Sequence, residues 1–331
     1  MLLDLVLSML SYTAREVRET VARTTLLPPL PKRDVARFSK CDVDLLTVDN
    51  RKPVGNHYWT KTAAINSLVA QKHNYTYQYV QVPFQNIRPP GASAWCKIES
   101  LHKIIQEELA LHKASPQRRC KWVVLLDSDA FIRDRGYDAL RHLLGAAEDL
   151  GGAMLLGLEP QESTPEPAMV FNTGVVFMLV SQWAHRMTSK WLQTPRAWAF
   201  CMEWSYEQQC FENMLQVNAQ SHLYVPTNDA KRIISAPQRL INSPFGHFVT
   251  HVVSGGDEGG TTARNTYIDF ELRSTHEVFS QPLAALNRGD LGDDPDLDSA
   301  KSNSSDARLW APVRPTHGWR SQCQLTSTRK T

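Results

Sequence analysis

Two carboxylates, Asp127 and Asp129, stand one residue apart directly after the apolar run Trp-Val-Val-Leu-Leu at 122–126. Such a run is typical of a strand buried on both faces of a parallel sheet, and open α/β sheets bind ligands at the carboxyl ends of their strands. Carboxylates this close repel each other, and a hard divalent cation removes the repulsion while taking phosphate oxygens into the same shell. The pattern predicts a site for a divalent metal and a diphosphate. The structural alternative is that both aspartates only mark a turn or a helix start.

The elements that must position this pair alternate between strands and helices. Strands are predicted at 43–48, 77–82, 122–126, 153–158, 169–180 and 222–225, and helices at 61–73, 137–150 and 206–215 and after caps at Ser93 and Ser181. Alternation of this kind favours a parallel sheet with helical crossovers. Asn172 and Gly174 interrupt the longest strand, which predicts a bulge or the close approach of a ligand there.

The chain divides into three stretches by composition. Residues 1–40 are predicted to form an N-terminal stem, residues 41–284 a single catalytic domain, and residues 285–331 a polar, mobile tail. The first ten residues are apolar but short and include Asp4, so they make neither a good signal peptide nor a membrane span, and they are expected to be a stub of amphipathic helix or the remains of a membrane anchor.

Bulk composition excludes several classes of protein. With 331 residues and 42% hydrophobic content, the chain is expected to be globular. A net charge of only +2, with the basic residues spread out, argues against a nucleic-acid partner. The six cysteines have no Cys-x-x-Cys pair and no cysteine–histidine cluster, so a structural zinc is not expected.

Four segments carry a resemblance to a known family. They are the Asp-Ser-Asp-Ala run at 127–130, the Phe-Asn-Thr-Gly-Val run at 171–175, the Glu207-Gln208 pair and the Phe-Val-Thr-His run at 248–251. In this order they resemble the retaining glycosyltransferases that include yeast α-galactosyl- and α-mannosyltransferases and plant xyloglucan xylosyltransferases. The likeness spans roughly 41–281. It implies a GT-A (Rossmann-like) α/β fold, with a mixed, mostly parallel sheet flanked by helices.

The resemblance also implies a metal centre. Asp127, Asp129 and His251 would hold Mn²⁺, or Mg²⁺ in its place, against the diphosphate of a sugar nucleotide. On residue type alone His247 competes with His251 for this role, and either histidine could be purely structural.

Further residues are implied to bind the donor or to act on it. The Trp95-Cys96-Lys97 segment is similar to the family's Trp-x-Lys segment and would place Lys97 beside the donor, although a lysine at a helix start more often lies along the surface. The remaining donor-binding residues expected are Asp127, Ser128, Asp129, Asn172 and Gly174.

Glu207 and Gln208 are the catalytic pair expected beside the ring of the donor sugar. The structural alternative is that both residues lie on the solvated face of a helix. The family has Asp-Gln at this position. It also has a Gly-Cys pair where this chain has Ser254-Gly255.

The implied activity is transfer of a hexosyl or pentosyl unit from a nucleotide-diphosphate sugar to a glycan or glycoprotein acceptor. Retention of the anomeric configuration, giving an α-linkage, is expected. The donor is expected to be a UDP-sugar rather than GDP-mannose, and the compartment is the Golgi or another part of the secretory lumen.

Two other functions remain open on the sequence. A haloacid-dehalogenase-like phosphatase also places Asp-x-Asp after an apolar strand, and the acidic stretch at 289–294 resembles its second cluster. A non-catalytic module that keeps the sugar-nucleotide fold is the other possibility, because the chain departs from the family at Glu207 and at Ser254-Gly255.

Overall fold

The structure of the chain is a computed structural model. It describes residues 25–26, 42–82, 92–115, 121–133, 138–161, 168–202, 206–216, 223, 225–244, 246–252, 264–266, 268 and 326–329. The boundaries of the stem, the domain and the tail therefore stay predictions. Within 1–40 and 285–331, only 25–26 and 326–329 are described.

The strands of the described residues are two to eight residues long, except for one strand of twelve residues at Ala168–Leu179. They are β1 (Thr25–Leu26), β2 (Asp42–Asp49), β3 (Thr76–Gln81), β4 (Lys121–Leu126), β5 (Ala130–Ile132), β6 (Met154–Gln161), β7 (Ala168–Leu179), β8 (Ile233–Ala236), β9 (Val249–His251) and β10 (Thr326–Arg329). The helices are α1 (Tyr58–His73), α2 (Ala92–Ala114), α3 (Ala139–Asp149), α4 (Gln182–Ala197), α5 (Tyr206–Gln216), α6 (Thr227–Ala230) and α7 (Gln238–Ile241), and a 3₁₀ turn spans Ala199–Met202.

The main sheet has the order β1-β8-β6-β7-β4-β2-β3-β10, and β5 and β9 form a separate two-stranded sheet. The pairs β1–β8, β8–β6, β4–β2 and β2–β3 are parallel. Strand β7 runs antiparallel to both of its neighbours, β6 and β4, and β10 runs antiparallel to β3. This is a mixed, mostly parallel Rossmann-like sheet flanked by helices, so the predicted fold class is confirmed.

Helices cover both faces of this sheet, which explains the unbroken apolar run of β4. Alternate β4 side chains point to opposite faces: Trp122, Val124 and Leu126 join one core cluster, and Val123 and Leu125 join the other. The first cluster includes side chains of α1 and α3, and the second includes those of α2, α4 and α5. A strand covered on both faces has no solvated side, so the chain first reaches solvent where β4 ends.

The predicted bulge is present in β7, at the place where Asn172 and Gly174 interrupt the strand. The pairing of β6 with β7 passes directly from Leu156↔Val176 to Gly157↔Asn172, so 173–175 have no partner on β6. The predicted cap at Ser181 is also confirmed, because its hydroxyl accepts a hydrogen bond from the backbone N–H of Ala184. Helix α2 begins at Ala92, so Ser93 lies inside the helix and not before its first residue as expected.

One predicted strand is wrong. Leu223 lies in a turn and Val225 lies outside any strand. Both side chains are buried. Their alternation reflects burial in the core rather than strand pairing, and β8 takes the place beside β6.

Two further features concern the cysteines and the helices. Cys201 and Cys210 form a disulfide, and Cys96 is also disulfide-bonded. Among the helices that the structure describes, none is both long enough and apolar enough to cross a bilayer.

Candidate metal and diphosphate site

Asp127 and Asp129 lie in a turn that several neighbours fix in place. The backbone N–H of Asp127 donates to the carbonyl of Gly174 (2.7 Å), and the N–H of Ala130 donates to the carbonyl of Asp127 (2.9 Å). From α1, the Thr62 hydroxyl donates to the Ser128 carbonyl at 2.6 Å. The turn interpretation and the ligand interpretation of the two aspartates are therefore compatible, because the turn is what aims their side chains.

His251 reaches the same point from another part of the chain. Strand β9 pairs with β5 so that His251 stands opposite Ala130, the residue after Asp129. Nε2 of His251 lies 3.2 Å from Oδ1 of Asp129. One ligand atom each from Asp127, Asp129 and His251 lies within 4.8 Å of the others, and this is the metal-competent group found among the described residues. His247 instead packs its ring edge-on against Phe248.

The orientation of His251 is set by Asn242. Nδ1 of His251 lies 2.6 Å from Oδ1 of Asn242, and an amide oxygen only accepts, so Nδ1 carries the proton. Nε2 therefore faces the aspartates, and in the neutral ring its lone pair is available to a cation. A ring nitrogen held by a second residue in this way is the usual arrangement of metal-binding histidines.

Gly174 makes room for two of the three candidate ligand groups, those of Asp127 and His251. A β-carbon at this position would lie 2.3 Å from Cε1 of His251, 2.8 Å from Nε2 of His251 and 2.8 Å from Oδ2 of Asp127. Any side chain would displace the histidine ring or the carboxylate. Asn172 fixes this segment from the same strand, because its Oδ1 accepts from the Gly174 N–H at 2.8 Å.

Lys97 joins Asp127 to Glu207. Its Nζ lies 2.9 Å from Oδ1 of Asp127 and 2.7 Å from Oε1 of Glu207. The lysine is buried and does not lie along the surface. The same Glu207 oxygen accepts from the Thr173 hydroxyl at 3.1 Å, so helix α5 is tied to the bulge of β7.

Gln208 also contacts the bulge of β7. Its Oε1 accepts from the backbone N–H of Thr173 at 3.3 Å. Glu207 is buried, and its backbone carbonyl accepts from the indole N–H of Trp191 at 2.9 Å. Both expected catalytic residues therefore stand beside Asn172-Thr173-Gly174, and their role in chemistry stays a prediction.

A second cation was not foreseen from the sequence. Nε of Arg264 lies 2.9 Å from Oδ2 of Asp129 and 3.2 Å from the Val252 carbonyl oxygen. Its guanidinium carbon stands 5.4 Å from the centre of the Tyr58 ring. Asp129 is thus held on one oxygen by His251 and on the other by Arg264.

The protonation equilibria of the site reflect burial and these charges together. Burial raises the pKa of Asp127, and Lys97 opposes that rise only in part. Burial acts in the same direction on Asp129, but His251 and Arg264 outweigh it and hold the pKa of Asp129 below its usual range. For His251 burial favours the neutral ring, yet the Asp129 carboxylate raises the pKa above the ordinary histidine value.

Ser128 belongs to a neighbouring network at the end of β2. Arg51 places NH2 2.6 Å from Oδ2 of Asp49 and 2.8 Å from the Ser128 hydroxyl. The guanidinium carbon lies 4.3 Å from the centre of the Trp59 ring and 5.1 Å from the centre of the Tyr58 ring. The carboxyl ends of β2 and β4 are thereby connected through charged and aromatic side chains.

The donor set suits a hard divalent cation. Two carboxylates and one imidazole nitrogen are ligands that Mn²⁺ accepts readily and Mg²⁺ accepts with more water. Asp129 and His251 are buried, and the second ring nitrogen of His251 is already satisfied. The residues present therefore fit a divalent metal.

Comparisons with known proteins give matches among solved structures. No protein-family model matches the chain, and no curated protein matches it. Among solved structures, it is similar to the crystal structure of a glycosyltransferase involved in the glycosylation of the major capsid of PBCV-1. The two are 17% identical with a TM-score of 0.45, and the match covers 69% of this chain and 99% of that one.

Sequence reasoning missed four residues that shape the site: Asn242, Arg264, Arg51 and Thr173. Thr173 lies between Asn172 and Gly174, which the sequence does single out, so these two neighbours were the signal that could have found it. Asn242 and Arg264 have no periodicity or motif that marks them. The departures at Ser254-Gly255 and the acidic stretch at 289–294 lie outside the described residues.

Proposed function

We propose that the protein is a metal-dependent glycosyltransferase that uses a nucleotide-diphosphate sugar as donor. The observation that carries the proposal is the convergence of Asp127, Asp129 and Nε2 of His251 at the carboxyl end of β4, in the space that Gly174 leaves open. The site combines cation ligands with Lys97, which stands within hydrogen-bond distance of Asp127. A cation and an ammonium group side by side suit a diphosphate.

The leaving group of such a transfer is a nucleoside diphosphate, which gains negative charge as the sugar departs. Bound Mn²⁺ would supply Lewis-acid stabilisation of that charge. Lys97 is buried between two carboxylates, which hold its pKa above the ordinary lysine value against the effect of burial. It therefore stays charged at neutral pH and adds a second positive charge beside the leaving group.

The sugar ring develops positive charge in the transition state. Gln208 and Glu207 border the bulge at 172–174, where the donor sugar would lie, and an amide oxygen or a carboxylate there stabilises that charge. Oε1 of Glu207 already binds Lys97 and Thr173, which suits positioning and electrostatic support better than nucleophilic attack. We therefore propose retention through attack from the face that the diphosphate leaves. Trapping a covalent glycosyl adduct on Glu207 would rule this out.

The donor class and the compartment are further parts of the proposal. A UDP-sugar and a glycan or glycoprotein acceptor follow from the resemblance in sequence. The Cys201–Cys210 disulfide supports an oxidising compartment such as the secretory lumen, because structural disulfides persist there and are rare in the cytosol.

The test is a turnover assay with Mn²⁺, a panel of sugar nucleotides and glycan acceptors. Release of nucleoside diphosphate with formation of a glycoside is expected, and Asp129→Asn should remove it while the protein remains folded. Asp149→Asn is the matched control, because Asp149 is an exposed carboxylate at the end of α3. Hydrolysis of simple phosphate esters would instead indicate the phosphatase, and binding without turnover would indicate the non-catalytic module.

A further inference from the structure

The two carboxylate oxygens of Asp129 face different partners. Oδ1 lies 3.2 Å from Nε2 of His251, and Oδ2 lies 2.9 Å from Nε of Arg264. Arg264 has further contacts, since its Nε also donates to the Val252 carbonyl at 3.2 Å and its guanidinium carbon lies 5.4 Å from the centre of the Tyr58 ring. A metal ion shared by Oδ1 and His251 is therefore compatible with the ion pair at Oδ2.

Asp127 divides its oxygens in the same way. Nζ of Lys97 donates to Oδ1 at 2.9 Å and also lies 2.7 Å from Oε1 of Glu207. A β-carbon on Gly174 would lie 2.8 Å from Oδ2 of Asp127 and 2.8 Å from Nε2 of His251, so these two atoms border the same space. Each aspartate therefore presents one oxygen to the candidate metal site while a cation holds the other.

This division restricts how the two carboxylates bind a metal. A carboxylate ligates through one oxygen or through both, and ligation through both also brings the metal against the second oxygen. The second oxygen of Asp127 already accepts from an ammonium group, and that of Asp129 pairs with a guanidinium group. These cations repel a divalent ion at the oxygens they hold, and the repulsion is strong because the site is largely buried. Ligation by one oxygen from each aspartate is therefore favoured.

Divalent ions differ in what this restriction costs them. Ca²⁺ takes about six to eight oxygen ligands and often gains them from carboxylates that bind through both oxygens. Mg²⁺ and Mn²⁺ take a smaller, near-octahedral shell, which one oxygen from each aspartate, one imidazole nitrogen and oxygens of water or phosphate complete. Limiting both carboxylates to one oxygen therefore disfavours Ca²⁺ more than the smaller ions.

We propose that Lys97 and Arg264 make the site selective for Mn²⁺ or Mg²⁺ over Ca²⁺. Each of them holds the second oxygen of one aspartate and so restricts that carboxylate to a single ligand atom. The inference rests on the proposed function, because it assumes a divalent ion at these aspartates. Lys97 and Arg264 are positioning residues, since they act on the metal through the carboxylates. Their positive charge alone lowers the affinity for every divalent ion, so selectivity is a separate effect.

The experiment measures the ratio of the Mn²⁺ and Ca²⁺ affinities. The electron paramagnetic resonance signal of free Mn²⁺ gives the first, and displacement of bound Mn²⁺ by Ca²⁺ gives the second. Wild type is compared with Arg264→Met, which removes the cation from Oδ2 of Asp129, and with Arg264→Lys, which retains one. The imidazole ligand disfavours Ca²⁺ in all of these proteins, so the change in the ratio between them isolates the effect of the cation.

Two further variants complete the comparison. Arg133→Met is the matched control, because Arg133 lies on β5 and donates to the Thr250 hydroxyl at 2.6 Å and to the Pro244 carbonyl. The double variant Lys97→Met, Glu207→Leu removes the other cation together with its second carboxylate. Asp129→Asn reports whether Mn²⁺ uses this site, and melting temperatures show which variants are folded.

Wild type should bind Mn²⁺ more tightly than Ca²⁺. Arg264→Met should bind both ions more tightly, because a positive charge is gone, and the gain for Ca²⁺ should exceed the gain for Mn²⁺ by about tenfold. The double variant should shift the ratio in the same direction, whereas Arg264→Lys and Arg133→Met should keep the wild-type ratio.

Two results would overturn the inference alone, provided that Asp129→Asn still loses Mn²⁺ binding. One is an unchanged ratio in either folded variant that lacks a cation, and the other is wild-type protein that binds Ca²⁺ as tightly as Mn²⁺. The second result needs no variant and applies even if the substitutions prevent folding. Mn²⁺ binding that Asp129→Asn leaves unchanged would overturn the proposed function as well.

Discussion

Gly174 lies so close to His251 that no side chain fits between them. A β-carbon on Gly174 would stand 2.3 Å from Cε1 of the histidine, and Oδ2 of Asp127 would lie 2.8 Å from it. Gly174→Ala must therefore push apart two of the three metal ligand groups. We expect Mn²⁺ affinity to fall by about tenfold or more, the range seen when ligand orientation is disturbed. Isothermal titration of Mn²⁺ measures the change.

Gly152→Ala is the control for that substitution. Its β-carbon would lie 2.5 Å from Cγ1 of Ile234, a similar overlap, but Gly152 precedes β6 at the amino-terminal edge of the sheet. It should lower the melting temperature and leave Mn²⁺ affinity unchanged. Equal losses of affinity in both variants would mean that the effect at Gly174 is general destabilisation.

Asn242 should act on metal binding without touching the metal. Its Oδ1 accepts from Nδ1 of His251 at 2.6 Å, which fixes the ring and leaves Nε2 toward the aspartates. Asn242→Leu removes the acceptor and should weaken Mn²⁺ binding by about 10-fold to 100-fold. Asn242→Asp keeps an acceptor at the same place and should restore most of the affinity. Failure of the aspartate to rescue would indicate a packing role for Asn242.

Metal binding should depend on pH through His251. The Asp129 carboxylate raises the pKa of His251 above its ordinary value of 6.5, despite burial, so the ring stays protonated at a higher pH than usual. A metal on Nε2 must displace that proton, and Mn²⁺ affinity should therefore rise as the pH is raised above the ordinary histidine range. Proton release on adding Mn²⁺ to weakly buffered protein gives the direct measurement. Unchanged pH dependence in His251→Gln would exclude this origin.

The raised pKa of His251 has the opposite consequence for the metal-free protein, whose stability should fall as the pH rises. The charged ring is bound more favourably in the folded chain than in the unfolded one. Its contribution is fully present below the ordinary histidine pKa and is lost as the pH rises through the raised one. The stability difference between wild type and His251→Gln, measured by urea titration, should therefore become smaller as the pH rises.

Among the charged residues of the site, Lys97 is the one whose substitution should lower the free energy of unfolding most. Lys97→Met leaves Asp127 and Glu207 facing each other without their common partner, and breaking a buried ion pair costs about 3 kcal/mol of unfolding free energy. Lys103→Met is the control on the same helix, because its pair with Glu107 is exposed at 3.9 Å. Adding Glu207→Leu to Lys97→Met should recover part of the loss in a urea titration. Full additivity of the two substitutions would argue against direct coupling.

The local sequence patterns predicted the sheet well because they result from the burial of the side chains of its strands. The apolar run of β4 requires cover on both faces, and helices lie on both faces. Asn172 and Gly174 predicted the bulge, since neither residue suits a strand interior. The strand expected at 222–225 failed because Leu223 and Val225 alternate for burial without pairing to another strand.

The aspartate pair was visible in sequence because both groups follow one strand. The contacts that complete the site join residues far apart in the chain: Lys97 with Glu207, His251 with Asn242, and Arg264 with Asp129. The periodicity of a sequence does not reveal such pairs. They arise from the register of β5 against β9 and from the packing of α2 against α5. Residue type alone could not distinguish His251 from His247, whereas the register of β5 against β9 places His251 beside Asp129.

The most direct test of a cation held between these residues is diffraction at the manganese absorption edge, from crystals grown with Mn²⁺ and UDP. We expect one anomalous peak within coordination distance of Asp127, Asp129 and Nε2 of His251, with a diphosphate oxygen in the same shell. Ordered UDP without such a peak, or a peak at which the two aspartate side chains turn away, would contradict the account.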